Sequence, residues 1–405
     1  MNIAIITSSY PPEVRSSSHL MQELAESLRD RGNKVTVVTA YPHHNLASDC
    51  KVNHFDSVCN ESGIDVLRIK ILPPHMGNYF VRGFSQIVLP YIFIYNIKKF
   101  IKHKIDSIIV YSPPLTLSIV GNKIKALHEA HYILNVQDLF PQNAIELGIL
   151  KNWFLVELFE HIEKNAYKYA DAITVHSENN SRFLNSKKGV PERKLTVIHN
   201  WIDVTPYDKV NKTGKFRNRF GIRDKFIFLF GGVIGPSQGL DLIVKVAHTL
   251  REITDIIFLF VGDGIEKERL EKMIKDYSLE NIYFKPFVSK EEYPELVKDA
   301  DVGLVCLSNK NKTPVVPGKI LSYMAARIPV LAFLNRESDG HQIIHEARCG
   351  YSDVSDNAQR ASQLILKMYK GKSSLKELGL NGYQYAVKNY SKKVCVDKLE
   401  SLLRT

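Results

Sequence analysis

The chain has 405 residues, 44% of them hydrophobic, and a formal net charge of +11. That length suits two domains rather than one core, and the apolar fraction excludes general disorder. The basic balance favours a membrane surface or phosphorylated small molecules as partners over nucleic acid, because the cations are spread out and no nucleic-acid module is recognisable.

Residues 2–8, NIAIITS, read as a buried strand, HLMQELAESLRDRG as an amphipathic helix stopped at Gly32, and KVTVVTA as a second strand. Strand, helix, strand implies a parallel sheet with right-handed crossovers. SIIVYSPP, HYILNVQDLFP and DAITVHSE continue that series, with NWFLVELFEHIEKNAYKYA as a long helix. The opening MNIAIITSSYPP lacks the basic segment of a secretory leader, and no apolar run reaches membrane-spanning length. Residues 84–104, FSQIVLPYIFIYNIKKFIKHK, are apolar and aromatic with lysines at the end. They read as a core helix with a solvated basic end, or as a surface resting on anionic lipid. A second series starts near residue 225 with KFIFLFGGVIG, LDLIVKVAHTLRE and IIFLFVGDG and alternates onward. The polar, basic stretch NWIDVTPYDKVNKTGKFRNRFGI reads as the hinge. The expected class is α/β, two doubly wound Rossmann-like domains facing each other across a cleft, with ligands at the carboxyl ends of the strands. Five scattered cysteines without a Cys-x-x-Cys pair argue against a disulfide scaffold or zinc site and suit a reducing cytoplasm.

Chemistry concentrates where strands hand over to helices. In SSYPPEVRSSSH, Ser16, Ser17 and Ser18 stand at a helix start beside Arg15 and His19; the stretch reads equally as a capped turn or as the rim of an anion or polyol site. FLFGGVIGPSQGLD brings Gly232, Gly235, Gln238 and Gly239 between a strand and a helix, where backbone can approach a ligand closely. It is neither a Walker A loop nor a GxGxxG. In VGDG, Gly262 and Asp263 most simply make a turn. Phe287 ends a strand, as core or as a ring for a base to pack on. Gly318 and Lys319 open an apolar helix, where the helix dipole disfavours a cation unless a bound diphosphate reverses the penalty. An exposed lysine in solvent is the plainer reading.

Order and spacing of these stretches, with PGKILSYMAARIPVLA, resemble the retaining glycosyltransferases of family 4, which adopt the GT-B fold. VQDLFPQNAIELGIL, IHNWID and GPSQGLDLI resemble the L-fucosamine transferases of bacterial O-antigen and capsule clusters. The resemblance implies an acceptor domain at 1–205 that a C-terminal helix from about 385 to 405 packs back onto. A UDP-sugar donor domain would cover 206–384. It implies a lipid-linked saccharide acceptor, an anionic inner-membrane surface as partner, a cytoplasmic peripheral location, and no metal or cofactor beyond the donor. Lys319 and Asp138 would be catalytic, although a structural Asp138 is the plainer reading. Gly232, Gly235, Gln238, Gly239, Gly262, Asp263, Phe287, Gly318, Lys319 and Ser322 would hold the donor. Arg15, Ser16, Ser17, Ser18, His19 and Arg82 would hold the acceptor.

The sequence departs from the family where the donor sits. Gly232 and Gln238 replace the usual Arg and Lys, Pro314 and Ser322 replace the two Glu of Glu-x7-Glu, and Gln137 stands where a His is common. Arg327 replaces a Gly expected to be left-handed. A sugar epimerase of the same fold, or a non-catalytic binding protein, are the alternative readings.

Overall fold

The computed structural model describes residues 1–13, 15–42, 46, 55–71 and 79–403, with the backbone alone for 79–84. The chain forms two compact units, Met1–His199 with Val396–Thr405, and Asn200–Cys395.

The first unit carries β1 (Asn2–Ile6), β2 (Lys34–Ala40), β3 (Val58–Glu61), β4 (Ile64–Ile69), β5 (Ser107–Ser112), β6 (His131–Val136), β7 (Ala172–Val175) and β8 (Leu195–Val197). Their order in the sheet is β3-β4-β2-β1-β5-β6-β7-β8. All pairs are parallel except β3 with β4, and β1 is in register with β2 at Ile3 and Val35. Strands buried on both faces explain the continuous Ile/Val runs. The order reverses between β1 and β5, which puts the crevice at the ends that lead into the SSYPP and YSPP turns.

The second unit carries β9 (Phe226–Gly231), β10 (Ile256–Val261), β11 (Ile282–Lys285), β12 (Val302–Cys306), β13 (Val330–Leu334) and β14 (Gly350–Val354) in the order β11-β10-β9-β12-β13-β14, all parallel. Alternation along β9 sorts its side chains: Ile227 and Leu229 enter one core, Phe226, Phe228 and Phe230 the other. Here the reversal falls between β9 and β12.

The division lies at His199, ahead of the expected 205, and the stretch read as a hinge is folded into the second unit. The carboxylate of Asp299, buried to 1% exposure, accepts from the N–H groups of Gly214 and Phe216 at 2.7 and 2.8 Å. Arg217 bonds the Asp299 carbonyl at 2.6 Å and Asp301 at 2.5 Å. Asp299 thereby caps the short helix Lys215–Phe220, which follows a shorter one at Thr205–Asp208, while most polar side chains of the stretch face solvent. The segment returning to the first unit is also shorter than expected. The helix Leu375–Tyr390 stays with the second unit, with Ala386 and Tyr390 in its core. Only 396–405 return: Val396, Leu399 and Leu403 are buried, Arg31 pairs with Asp397 and Glu400 at 2.5 and 2.6 Å, and Ser107 Oγ donates to the Leu403 carbonyl at 3.3 Å.

The helix Tyr79–Phe100 contains Pro90. Leu89, Phe93 and Ile97 form its buried face, while Tyr91 and Tyr95 are 63% and 66% exposed. Among the described residues no helix is long and apolar enough to cross a membrane. Cys59, Cys306, Cys349 and Cys395 are free thiols, and Cys50 lies outside the described residues.

Replacing Asp299 with Ala leaves the half-buried Gly214 N–H and the buried Phe216 N–H without their partner. Urea denaturation is expected to show a loss of about 2 kcal/mol; a mobile linker at 200–223 predicts no loss.

Candidate functional site

The carboxyl ends of β9 and β12 flank the reversal in the second sheet. β9 runs out through Gly231 and Gly232, and the next turn ends at Gly239, left-handed at φ +60 and packed on Ser308 beyond β12. The turn after β10 locks onto it, with Ile234 N–H donating to the Asp263 carbonyl at 2.8 Å. A Cβ on Gly262 would lie 1.9 Å from the Gly232 oxygen, so this interlock requires glycine there.

Lys319 begins the helix Lys319–Ala325 and reaches into this interlock. Its Nζ donates to Gln238 Oε1 at 3.0 Å and lies 4.7 Å from the centre of the Phe230 ring. Its Cε passes 2.9 Å from where a Gly232 Cβ would begin. The plainer reading, an exposed lysine, is thereby corrected: Lys319 is half-buried, and burial pushes its pKa down to about 8. Among the described residues it has no carboxylate partner. Gly232, Gln238 and Lys319, far apart in sequence, thus form one cluster around an ammonium.

Tyr323, which the sequence shows only as one more apolar-face residue, holds this helix in place. Its buried hydroxyl donates to the Leu229 carbonyl at 2.9 Å and accepts from Gly231 N–H at 3.2 Å. Four residues separate it from Lys319, so both lie on the same helix face. That spacing was the available signal.

Other expected donor residues behave differently. Ser322, at the place of the second Glu, is half-buried beside the hydroxyl of the buried Tyr207. Phe287 is 56% exposed just beyond β11, which corrects the core alternative. Asp263 makes the turn as read: its side chain is exposed and accepts from Gly264 N–H at 2.9 Å. Gly235 and Gly318 hold ordinary negative φ angles, and nothing in the structure demands glycine at either. Arg327 is left-handed at φ +59, as its position in the family pattern implied.

In the first unit, Ser16, Ser17 and Ser18 are the opening residues of the helix Ser16–Asp30, and none caps it; the N-cap position is Arg15, with no side-chain cap bond. Ser17 Oγ pairs with Ser9 Oγ at 2.8 Å, Ser18 is buried, and Arg15 lies 3.8 Å from Glu13. His19 is half-buried one turn along. The side chain of Arg82 lies outside the described residues. Asp138 follows β6 and reaches solvent, yet desolvation by the surrounding protein holds its carboxyl above the usual range. Gln137 Nε2 donates to Asn135 Oδ1 at 2.6 Å.

Residues 18–205 match the family model described as Glycosyltransferase Family 4, and residues 212–385 the one described as Glycosyl transferases group 1. The chain therefore carries a family 4-type and a group 1 glycosyltransferase domain in succession, on the GT-B fold. It is 26% identical over 346 residues to WcaI of Escherichia coli K12, named as a colanic acid biosynthesis glycosyl transferase, covering 80% of this chain and 81% of that one. It is 24% identical over 328 residues to WbjE of Pseudomonas aeruginosa, named as a glycosyltransferase, covering 80% of each. Among solved structures, Anabaena Alr3699/HepE in complex with UDP-glucose superimposes with a TM-score of 0.73 at 14% identity, covering 100% of this chain and 99% of that one.

Tyr323→Phe removes the buried hydroxyl alone. It is expected to cost about 1–2 kcal/mol in urea denaturation, because Leu229 and Gly231 each lose a partner; a merely apolar role for Tyr323 predicts no change.

Proposed function

We propose that this chain is a retaining glycosyltransferase that moves an amino-deoxyhexose, of the N-acetyl-L-fucosamine type, from a UDP-sugar to a lipid-linked saccharide in surface polysaccharide synthesis. One observation carries the reading: the Lys319 ammonium, without a carboxylate, sits at the sheet's reversal beside the Gly232 turn and Gln238. An uncompensated, partly desolvated cation at that place is built to receive an anion, and the diphosphate of a sugar nucleotide supplies one. The named activity of WcaI and the UDP-glucose bound by the Anabaena protein support the polysaccharide context and the donor class.

In the reaction, the bond between the anomeric carbon and the β-phosphate oxygen breaks as the bond to the acceptor oxygen forms on the same face. Charge grows on the diphosphate, and Lys319 stabilises it there. The acceptor's proton passes to the departing phosphate oxygen, so no protein base is needed. Asp138 takes an acceptor-orienting role, and no metal is required. Arg15, Ser16 and His19, at the open start of their helix, are assigned to the acceptor.

The protein is further assigned to the inner face of the bacterial plasma membrane. The helix Tyr79–Phe100 supports this: Ile87, Tyr91 and Tyr95 recur at four-residue spacing on its exposed face, with Lys98 and Lys99 in its last turn. Aromatic rings beside lysines suit the boundary of an anionic bilayer.

Lys319→Met is expected to weaken UDP binding by about 10- to 100-fold in calorimetry; an unchanged affinity places the diphosphate elsewhere. An anion favours the ammonium form, so wild-type affinity is greatest at low pH and declines as pH rises through about 8. The Met variant should lose that pH dependence.

Phosphatidylglycerol vesicles at low salt are expected to sediment the wild-type protein and to release it at high salt. The Tyr91→Ser, Tyr95→Ser, Lys98→Glu, Lys99→Glu variant should stay in the supernatant. Sedimentation of that variant would assign the contact to another surface.

A further inference from the structure

At the amino ends of β9, β10, β12 and β13, a cavity of about 860 Å³ opens within the second unit. Phe226, Ile328, Pro329 and Leu375 give it apolar walls. Eight lysines and arginines line it against three aspartates. Asp301 is engaged by Arg217 at 2.5 Å and by Lys212 at 3.1 Å, and Asp255 accepts from the Tyr369 hydroxyl at 3.0 Å. Arg327 pairs outside the cavity wall with Asp208 at 2.7 Å.

The other cations have neutral partners. Arg223 donates to Asn218 Oδ1 at 2.7 Å, Lys225 to the Thr254 carbonyl at 2.8 Å, and Lys298 to the Val210 carbonyl at 2.6 Å. Lys372 stands 4.3 Å over the Tyr369 ring. Among the described residues none of these four, nor Lys376, pairs with a carboxylate. Burial and the charge of Arg327 lower the pKa of Lys298, although the carboxylate of Asp208 opposes them. Several like charges converging from separate elements on one concavity repel one another, and a multivalent anion relieves that repulsion.

The structure assigns this cavity as a second anion site, for a phosphate-bearing molecule, distinct from the Lys319 cluster. The two lie at opposite ends of β9: Phe226 lines the cavity, and Gly231 leads into the Lys319 turn. Five residue steps along the strand separate these two by roughly 17 Å. The ligand is either a soluble phosphate ester or a phosphorylated lipid headgroup, since either presents the same doubly charged group to these cations.

The experiment titrates the full chain with inorganic pyrophosphate by calorimetry, in a Lys319→Met background so that the other cluster is silent. Binding is expected, and Arg223→Ala, Lys372→Ala, Lys376→Ala together should weaken it at least about tenfold while leaving UDP affinity of the otherwise wild-type chain unchanged. These three side chains are solvent-facing or stacked on rings, so the fold should survive, which thermal unfolding checks. No pyrophosphate binding in the Lys319→Met background, or binding that ignores the three substitutions, overturns the proposal. Phosphatidic acid vesicles separate the sources: vesicle binding that the same substitutions abolish identifies a headgroup, and pyrophosphate binding without such vesicle binding identifies a soluble ligand. Vesicle binding without pyrophosphate binding also overturns it, because surface charge then suffices.

Discussion

The Lys319 ammonium is half-buried, held by an amide oxygen and the face of an aromatic ring. Neither partner carries a full negative charge. Burial therefore weighs against the charged form, which is the cause of the downward shift to about 8. A folded chain keeps such a group only if its surroundings fix it, because free rotation would carry the ammonium back to water. The fixing comes from below: Tyr323, a turn further along the helix, bonds the backbone of β9 on both sides of its last residues. The same strand end supplies the Gly232 turn. Cation and turn are thus referenced to one piece of backbone, and their separation cannot drift independently.

How much of this was legible in the sequence depends on range. The strand–turn–helix alternation is local, and it located both sheets and the glycine turns correctly. The places of Gly232, Gln238 and Lys319 at element boundaries are legible there, and the resemblance to family 4 implies their donor roles. Their mutual contact was not legible, because 81 residues separate Gln238 from Lys319. Tyr323 was hidden for another reason: in a helix face every buried position looks alike until the carbonyl its hydroxyl meets is known. Ser322 shows the reverse case. Its hydroxyl, expected at the donor, meets that of Tyr207 from a distant part of the chain. Asp299, Arg217 and Asp301 bond the backbone around the helix Lys215–Phe220 and the strand that follows it, and such partners cannot be recognised until the chain is folded.

Electrostatics divide the second unit along its strands. One ammonium, closely held, stands at the carboxyl ends, while several looser cations gather at the amino ends. The two arrangements differ in kind. A single fixed charge in a desolvated turn gives geometric selectivity, because a ligand must bring its own charge to one point. A loose group of cations gives attraction with little geometry and is more strongly screened by salt. The first suits a step in which charge moves between defined atoms, the second suits retention of a charged molecule.

Arg327 joins these two ends, and its backbone explains why an arginine is tolerated there. The helix that begins with Lys319 closes through Arg327 N–H to the Met324 carbonyl and Ile328 N–H to the Tyr323 carbonyl, each at 3.1 Å. This closure needs a left-handed residue, which glycine supplies without strain. With arginine the backbone cost is of order 1 kcal/mol, but the side chain gains an ion pair with Asp208 at 2.7 Å and lies 3.8 Å over the Tyr383 ring. Tyr383 in turn donates to Asp208 at 2.8 Å. Glycine would relax the turn and remove both contacts of the arginine side chain, leaving Tyr383 and Asp208 paired with each other alone. The arginine therefore ties the far end of a seven-residue helix whose middle is held by Tyr323 and whose start carries the ammonium. A helix this short has little stability of its own, so it holds Lys319 in place only because tertiary contacts secure it at both of those points.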